Sequence, residues 1–458
     1  MHYGLKVVDV DSVGGQDRGQ TTSIRPVIVS SFIGTTIEWY DFFLYGTAAA
    51  LVFNQLFFPT FDPLAGTLAS FATYAVGFAA RPLGGIVFGH YGDKIGRKAM
   101  LVLALLIMGV ATFLIGLLPS YDSIGVWAPI LLVALRFIQG IGVGGEWGGA
   151  VLMAVEHSPH GRRGFYGSWP QMGVPAGLLL ANLVFLASST YVPGDQFIAW
   201  GWRVPFLVSI VLVGVGLFIR LKLIESPAFT QVRESGTEAN MPILDVVRTY
   251  PKNVLLAMGM RLAENGTFYV LTVFVLSYVA TELGLNRDTG LYGVLIAAAI
   301  GLLSTPFFGA LSDRFGRRPV YLFGAAFSLV FAFPFFWLLN TGVAPLIWLS
   351  IVLGVNVGHD AMYGPQGAYF SELFGTRVRY SGASLGYQLA SVLAGGLSPL
   401  IATALLGYYG YVAVALYTAA MALITVIAVL LAAETFQGDI SEEYTGERRL
   451  VSESRESG

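Results

Sequence analysis

Several ionisable residues fall inside long apolar runs, where a charge is costly unless it has a partner or a task. Glu38 and Asp41 lie three apart and share a helical face with Tyr45, four beyond Asp41. Such a carboxylate pair can load and release a proton beside a cavity, or one member can brace a neighbouring helix. Arg136, Gln139 and Glu146 are spaced so that all three face roughly one side of a helix. An Arg fork matches a carboxylate bidentately, which makes Arg136 the candidate anchor for an anionic substrate. The competing reading is permanent neutralisation by Asp41 or Glu146, and Glu146, within GGEWGG, could instead brace close helix packing. Arg261 and Glu264 are three apart and also suit an intrahelical ion pair. His359 and Asp360 are neighbours, so they point about 100° apart on a helix. His titrates near neutrality and suits a proton relay, and equally a hydrogen-bonded structural place. Proton coupling is thus assigned to Asp41 with Glu38. Substrate contact is assigned to Arg136, Gln139, Tyr45, Glu146, Glu264, His359 and Asp360. Arg81, near the end of its apolar run, reads as snorkelling to the surface.

Other chemistries find no residues to carry them. The chain has no Cys, which excludes disulfides, thiolate metal sites and cysteine nucleophiles. Its Gly-rich stretches lack the GKS or GKT of a phosphate loop, and nothing is spaced as a catalytic triad or metal site. No enzyme activity, cofactor or metal is expected, only the proton as coupling ion. A net charge of -2 implies no nucleic-acid partner.

The elements that position these residues follow from composition. Hydrophobic residues make up 55% of the chain and charged residues 12%, and mean hydropathy is +0.68; a water-exposed surface cannot be covered with so few charges. About 20 mostly apolar residues let a helix cross a bilayer with its backbone satisfied internally. On that rule spans are expected near 27–53, 65–90, 99–119, 126–155, 165–190, 202–224, 253–281, 289–312, 319–340, 345–371, 381–406 and 410–433. The class is therefore all-α integral membrane protein with about twelve transmembrane helices.

Basic residues orient the spans. One set of loops holds most of them, including Lys94, Arg97, Lys98, Arg162, Arg163, Arg314, Arg317, Arg318, Arg377 and Arg379, while the opposite set holds only Arg203 and Arg287. Both termini are thus expected in the cytoplasm, in an inner or plasma membrane. Trp127, Trp200, Trp202 and Trp348 fall near the other face, as interfacial anchors. GHYGDKIGRK at 89–98 returns as GALSDRFGRR at 309–318, and Glu156 to Arg163 is echoed by Glu372 to Arg379 at nearly the same offset. Six spans per half is an even number, so the halves share topology and are related by a pseudo-twofold along the membrane normal. The expected division is a tail at 1–26, a six-helix half at 27–224, a central loop at 225–252, a second half at 253–433 and a tail at 434–458.

The repeated GxxxDRxGRR-like loop resembles the signature of the major facilitator superfamily. IEWYDFFLYG at 37–46, RFIQGIGVGGEWGGA at 136–150, RRGFYGSWPQMG at 162–173 and ESPAF at 225–229, with His90 and Tyr91 in the first loop, resemble its metabolite:proton symporter family. That resemblance covers nearly the whole chain outside the tails. It implies a monomer that imports a small molecule, such as shikimate, 2-oxoglutarate, citrate, proline or betaine, together with protons by alternating access. It also implies that Gly89, Asp93, Arg97, Asp313 and Arg317 latch the halves on the cytoplasmic side. Glu156, Arg163, Glu372 and Arg379, at the same helix ends, are expected to form the charge network that breaks and reforms there. Two other readings are an osmolyte symporter and a transporter-like receptor. The short polar tail without heptads lowers the first, and the lack of an appended domain lowers the second.

Overall fold

The computed structural model describes residues 24–95, 97–144, 147–156, 158–159, 161–192, 194–222, 248–374 and 379–436. Glu146 lies outside the described residues, as do most of the central loop, most of both tails and the side chains of Gly89, Asp93, Arg97, Glu156 and Arg379. Among the described residues there is no strand. Helical columns follow one another as α1 Ile24–Leu51, α2 Pro63–Ile95, α3 Arg97–Leu117, α4 Trp127–Val143 resuming as Trp147–Glu156, α5 Arg163–Tyr191 and α6 Arg203–Lys222. They continue as α7 Pro251–Glu282, α8 Arg287–Phe315, α9 Arg317–Leu339, α10 Ala344–Glu372, α11 Gly382–Tyr409 and α12 Tyr411–Leu431. By length and composition, 9 helical stretches among the described residues can cross a membrane, and Val102–Leu117 and Trp127–Val143 are shorter apolar helices.

Burial is inverted relative to a water-soluble protein. Leu303 and Val330 are each 75% exposed, whereas Arg81, Arg136, Arg261 and Arg317 are among the largest fully buried side chains. A lipid surround accounts for both observations, because apolar surface is at home in it and charge must turn inward. This is a multi-pass membrane protein. Trp127 and Trp200 are well exposed, as interfacial anchors should be, but Trp202 is fully buried. It packs on Phe53, Phe57 and Phe206 instead. Arg203 is kept on that face by bonds from Nη1 to the carbonyls of Gly116 (2.9 Å) and Leu118 (2.5 Å), where it caps α3.

The first six columns meet the last six along two seams, α5 against α8 and α10, and α2 against α11. Small residues allow the approach: Gly309 lies on Gly164 and Ser168, and Gly396 on Phe78. Within the first half, α2 and α4 touch backbone to backbone, since a Cβ at Gly140 would fall on the carbonyl of Gly77. π-helical turns fall mostly in the second half, at Val270–Phe274 and Tyr278–Glu282 in α7, Leu353–His359 in α10 and Ser391–Gly396 in α11, besides one at Phe197–Gly201 leading into α6. Such turns shift the side-chain register and frequently mark functional sites.

Candidate substrate and coupling site

Two buried polar clusters face each other across the aromatic interior. In the first half, α4 carries Arg136 into a cage of rings, its guanidinium carbon 4.1 Å from the centroid of Phe42, 4.3 Å from Tyr45 and 4.8 Å from Tyr74. Cation–π attraction of this kind strengthens when water is excluded. Nη1 donates to Gln139 Oε1, while Nε and Nη2 have no partner among the described residues. The Nε2 of Gln139 donates to Thr112 Oγ1 at 2.7 Å and approaches the backbone carbonyl of Asp41 at 3.5 Å. Asp41 is fully buried, and neither carboxylate oxygen has a hydrogen-bond partner among the described residues. Arg136 and Asp41 therefore share Gln139 without forming an ion pair. Glu38 is buried nearby on α1, and Tyr45 turns its hydroxyl to Thr73 at 2.7 Å.

Gly77 makes the seat for Arg136, because a Cβ there would collide with the guanidinium. Gly77→Ala is expected to displace Arg136 and to cost about 1–3 kcal/mol, the usual range for overpacking. A lower midpoint in thermal unfolding of the purified protein would register it; an unchanged midpoint would mean that the cage yields freely.

In the second cluster every charged side chain is paired. Arg261 Nη1 donates to Glu264 Oε2 and to Gln366 Oε1, both at 2.8 Å, and Nε donates to Ser391 Oγ at 3.1 Å. Glu264 also accepts from Gln366 Nε2 at 2.9 Å and lies 3.3 Å from His359 Nε2. The other imidazole nitrogen, Nδ1, meets Asp360 Oδ1 at 2.9 Å. Asp360 Oδ2 accepts from Asn356 Nδ2 at 3.0 Å and from Ser304. His359 ends the π turn of α10, and there it meets its own chain neighbour. The Arg261–Glu264 pair is present, but as one link in a network across α7, α8, α10 and α11.

Arg81 does not snorkel. It is 1% exposed and donates from Nε to Gln388 Oε1 on α11 at 3.2 Å. The expectation failed because α2 runs on to Ile95, which leaves Arg81 well inside the helix, and there α11 covers it.

At the end of the bundle where α5 begins and α8 ends, Asp313 accepts from the backbone N–H groups of Gly164 and Phe165, each at 2.8 Å. A helix N-terminus favours a carboxylate in this way. Arg317 Nη1 bonds Asp313 at 2.7 Å, and its Nε and Nη2 reach Glu372 at 3.2 and 3.3 Å. Arg163 lies 3.8 Å from Glu372. Asp313, Arg317, Arg163 and Glu372 thus come together across the seam. Sequence reasoning missed the members from beyond α12: Thr435 Oγ1 donates to Glu372 at 2.6 Å, and Glu434 accepts from the backbone N–H of Arg317 and Arg318 at 3.0 Å each. It also missed Gln366, Asn356, Ser391 and Gln388, which stood in the sequence as neutral polar residues within apolar spans.

The comparisons agree with this organisation. The family model described as Major Facilitator Superfamily matches residues 31–395. The shikimate transporter of Escherichia coli (strain K12) is 45% identical over 412 residues, covering 89% of this chain and 94% of that protein. The proline/betaine transporter of the same strain is 39% identical over 389 residues, covering 83% and 77%. A crystal structure of a D-xylose-proton symporter has the same fold, with TM-score 0.68 at 20% identity, covering 91% of this chain and 99% of that one. The interior of buried charges between two six-helix halves is that of a membrane transporter, and the chain belongs to the Major Facilitator Superfamily.

Proposed function

We propose that the protein is a proton-coupled symporter importing a small carboxylate across an inner membrane, with both termini in the cytoplasm. The observation that carries this reading is Asp41, a fully buried carboxylate with no bonded oxygen among the described residues. A carboxylate so placed needs either a proton or a cation, and Arg136, whose partner Gln139 also approaches the Asp41 backbone carbonyl, is the cation that a rearrangement would bring to it. Exchange of Asp41 between these two partners loads and releases a proton. The basic residues flanking α5, α8 and α9 support a cytoplasmic side for the Asp313–Arg317–Glu372 cluster, and in this reading it latches the halves there. Because Glu264, His359 and Asp360 are occupied with one another, we assign them to holding α7, α8, α10 and α11 in register.

The shikimate transporter among the relatives supports a carboxylate cargo. The proline/betaine transporter supports a second reading, a zwitterionic osmolyte, whose carboxylate could use the same anchor. Proteoliposomes loaded at alkaline pH and offered labelled shikimate, 2-oxoglutarate, citrate, proline or betaine in acidic buffer decide between them. One class should accumulate, and a protonophore should abolish the accumulation. Uptake that is unchanged when the pH gradient is collapsed would rule out proton symport.

A further inference from the structure

The ring of Tyr387, on α11, is held on both faces. Trp147, on the stretch of α4 that runs on to Glu156, stacks on it with centroids 3.6 Å and planes 18° apart, the closest pair of rings between described residues. The guanidinium carbon of Arg261 lies 3.2 Å from a ring centroid of the same Tyr387. Two groups this near one ring centre can lie only on opposite faces. Tyr387 is therefore clamped between a residue of the first half and a residue of the second, and all three are buried.

The two contacts differ in what a parting of the halves does to them. Tyr387 and Arg261 travel together: α11 lies against α7 at Gly386, where a Cβ would fall 2.9 Å from that of Ala257, and Arg261 Nε donates to Ser391 Oγ, one turn beyond Tyr387. Trp147 belongs to the other half. Gln388, beside Tyr387, meets that half as well, accepting from Arg81 Nε at 3.2 Å and donating from Nε2 to the carbonyl of Gly144 at 3.1 Å. A separation here strips Trp147 from Tyr387 and leaves Arg261 with the ring. Tyr387 stands about two turns along from Arg379, and Trp147 about two and a half turns before Glu156, so the stack forms a layer just inside the end closed by Arg317. The plane of a tyrosine ring turns on a broad torsion and is set by what packs against its faces. Pinned on both, Tyr387 keeps Arg261 in the plane from which it reaches Glu264, Gln366 and Ser391 together.

We propose that Tyr387 is a positioning residue that links the halves: clamped by Trp147, it holds Arg261 in the Glu264–His359 network, and when the halves part at this end the clamp opens and the network loosens. The second half thereby registers whether the end near Arg317 is closed. This goes beyond the symport reading and rests on its latch. The test uses the purified full-length protein and needs no cargo. Emission of Trp147, taken as the difference between the parent and Trp147→Phe, should be shielded from acrylamide in the parent and lose that shielding when Arg317→Ala is added. Opening of the seam is scored separately by the reaction of Ser168→Cys with a maleimide reagent. Nitrogen NMR signals of the His359 ring, identified by their loss in His359→Gln, should shift in Trp147→Ala, although Trp147 stands in the other half, and return towards those of the parent in Trp147→Phe, which restores a ring. Should Trp147→Ala fail to fold, the quenching measurement carries the test. A reactive cysteine with Trp147 still shielded, or His359 signals unmoved in a folded Trp147→Ala protein, overturns the clamp while the latch stands. A cysteine that stays protected overturns the latch and the clamp with it.

Discussion

Asp41→Asn is expected to abolish accumulation of substrate driven by a pH gradient while preserving exchange of substrate between equal pools. Asn has the shape of the protonated carboxyl and cannot release a proton. Because Asn also keeps an acceptor oxygen beside Thr112, the substitution preserves size and local hydrogen bonding while removing the titrating group. By linkage, a proton that favours substrate binding must itself bind more tightly when substrate is present, and a permanently neutral residue cuts that link in both directions. Counterflow in reconstituted vesicles should continue, and uptake under an imposed gradient should stop at equal concentrations inside and out. An Asp41→Asn protein that still accumulates substrate with only a proton gradient supplied would move the coupling proton elsewhere, with Glu38 and Asp360 next in order.

The placement of Asp41 could be read from the sequence, but the state of its surroundings could not. Apolar runs of about 20 residues located the spans because the bilayer fixes their length; the run near 289–312, for example, became Arg287–Phe315. Position along a span says nothing about what covers it. Arg81 reads as a surface residue because it lies near the end of its apolar run, whereas the helix continues to Ile95 and α11 packs over Arg81. Arg136 was legible as a buried fork, yet its choice of Gln139 and three rings over Asp41 depends on Gly77 and on residues far apart in sequence. Adjacent His359 and Asp360 were expected to diverge on an ideal helix, and the π turn that ends at His359 has no counterpart in the apolar pattern. Neutral polar residues such as Gln366 and Gln388 were passed over in favour of ionisable ones, although an unbonded amide inside a membrane protein is also costly.

Arg317→Ala is expected to stop transport while leaving substrate binding measurable, because in the proposed latch Arg317 holds one end of the bundle shut rather than the cargo. Its guanidinium stands between Asp313 and Glu372, with Ser312 Oγ as a further acceptor at 2.7 Å, and it is 1% exposed. Without it the two carboxylates face each other, and Arg163, 3.8 Å from Glu372, is the cation left beside them among the described residues. Breaking a buried charge pair from one side costs about 3–5 kcal/mol, and a bias of that size shifts a two-state balance by about two to four powers of ten. The closed end should then open, since Asp313 would lose the cation that accompanies its bonds to the start of α5. A chain without cysteine permits a clean reporter: Ser168 is fully buried where α5 meets Gly309 of α8. Ser168→Cys should resist a maleimide reagent in the otherwise unchanged protein and react readily when Arg317→Ala is added. Should the cysteine stay protected in the double variant, or binding fall as far as transport does, Arg317 would be a residue of folding and not of the latch.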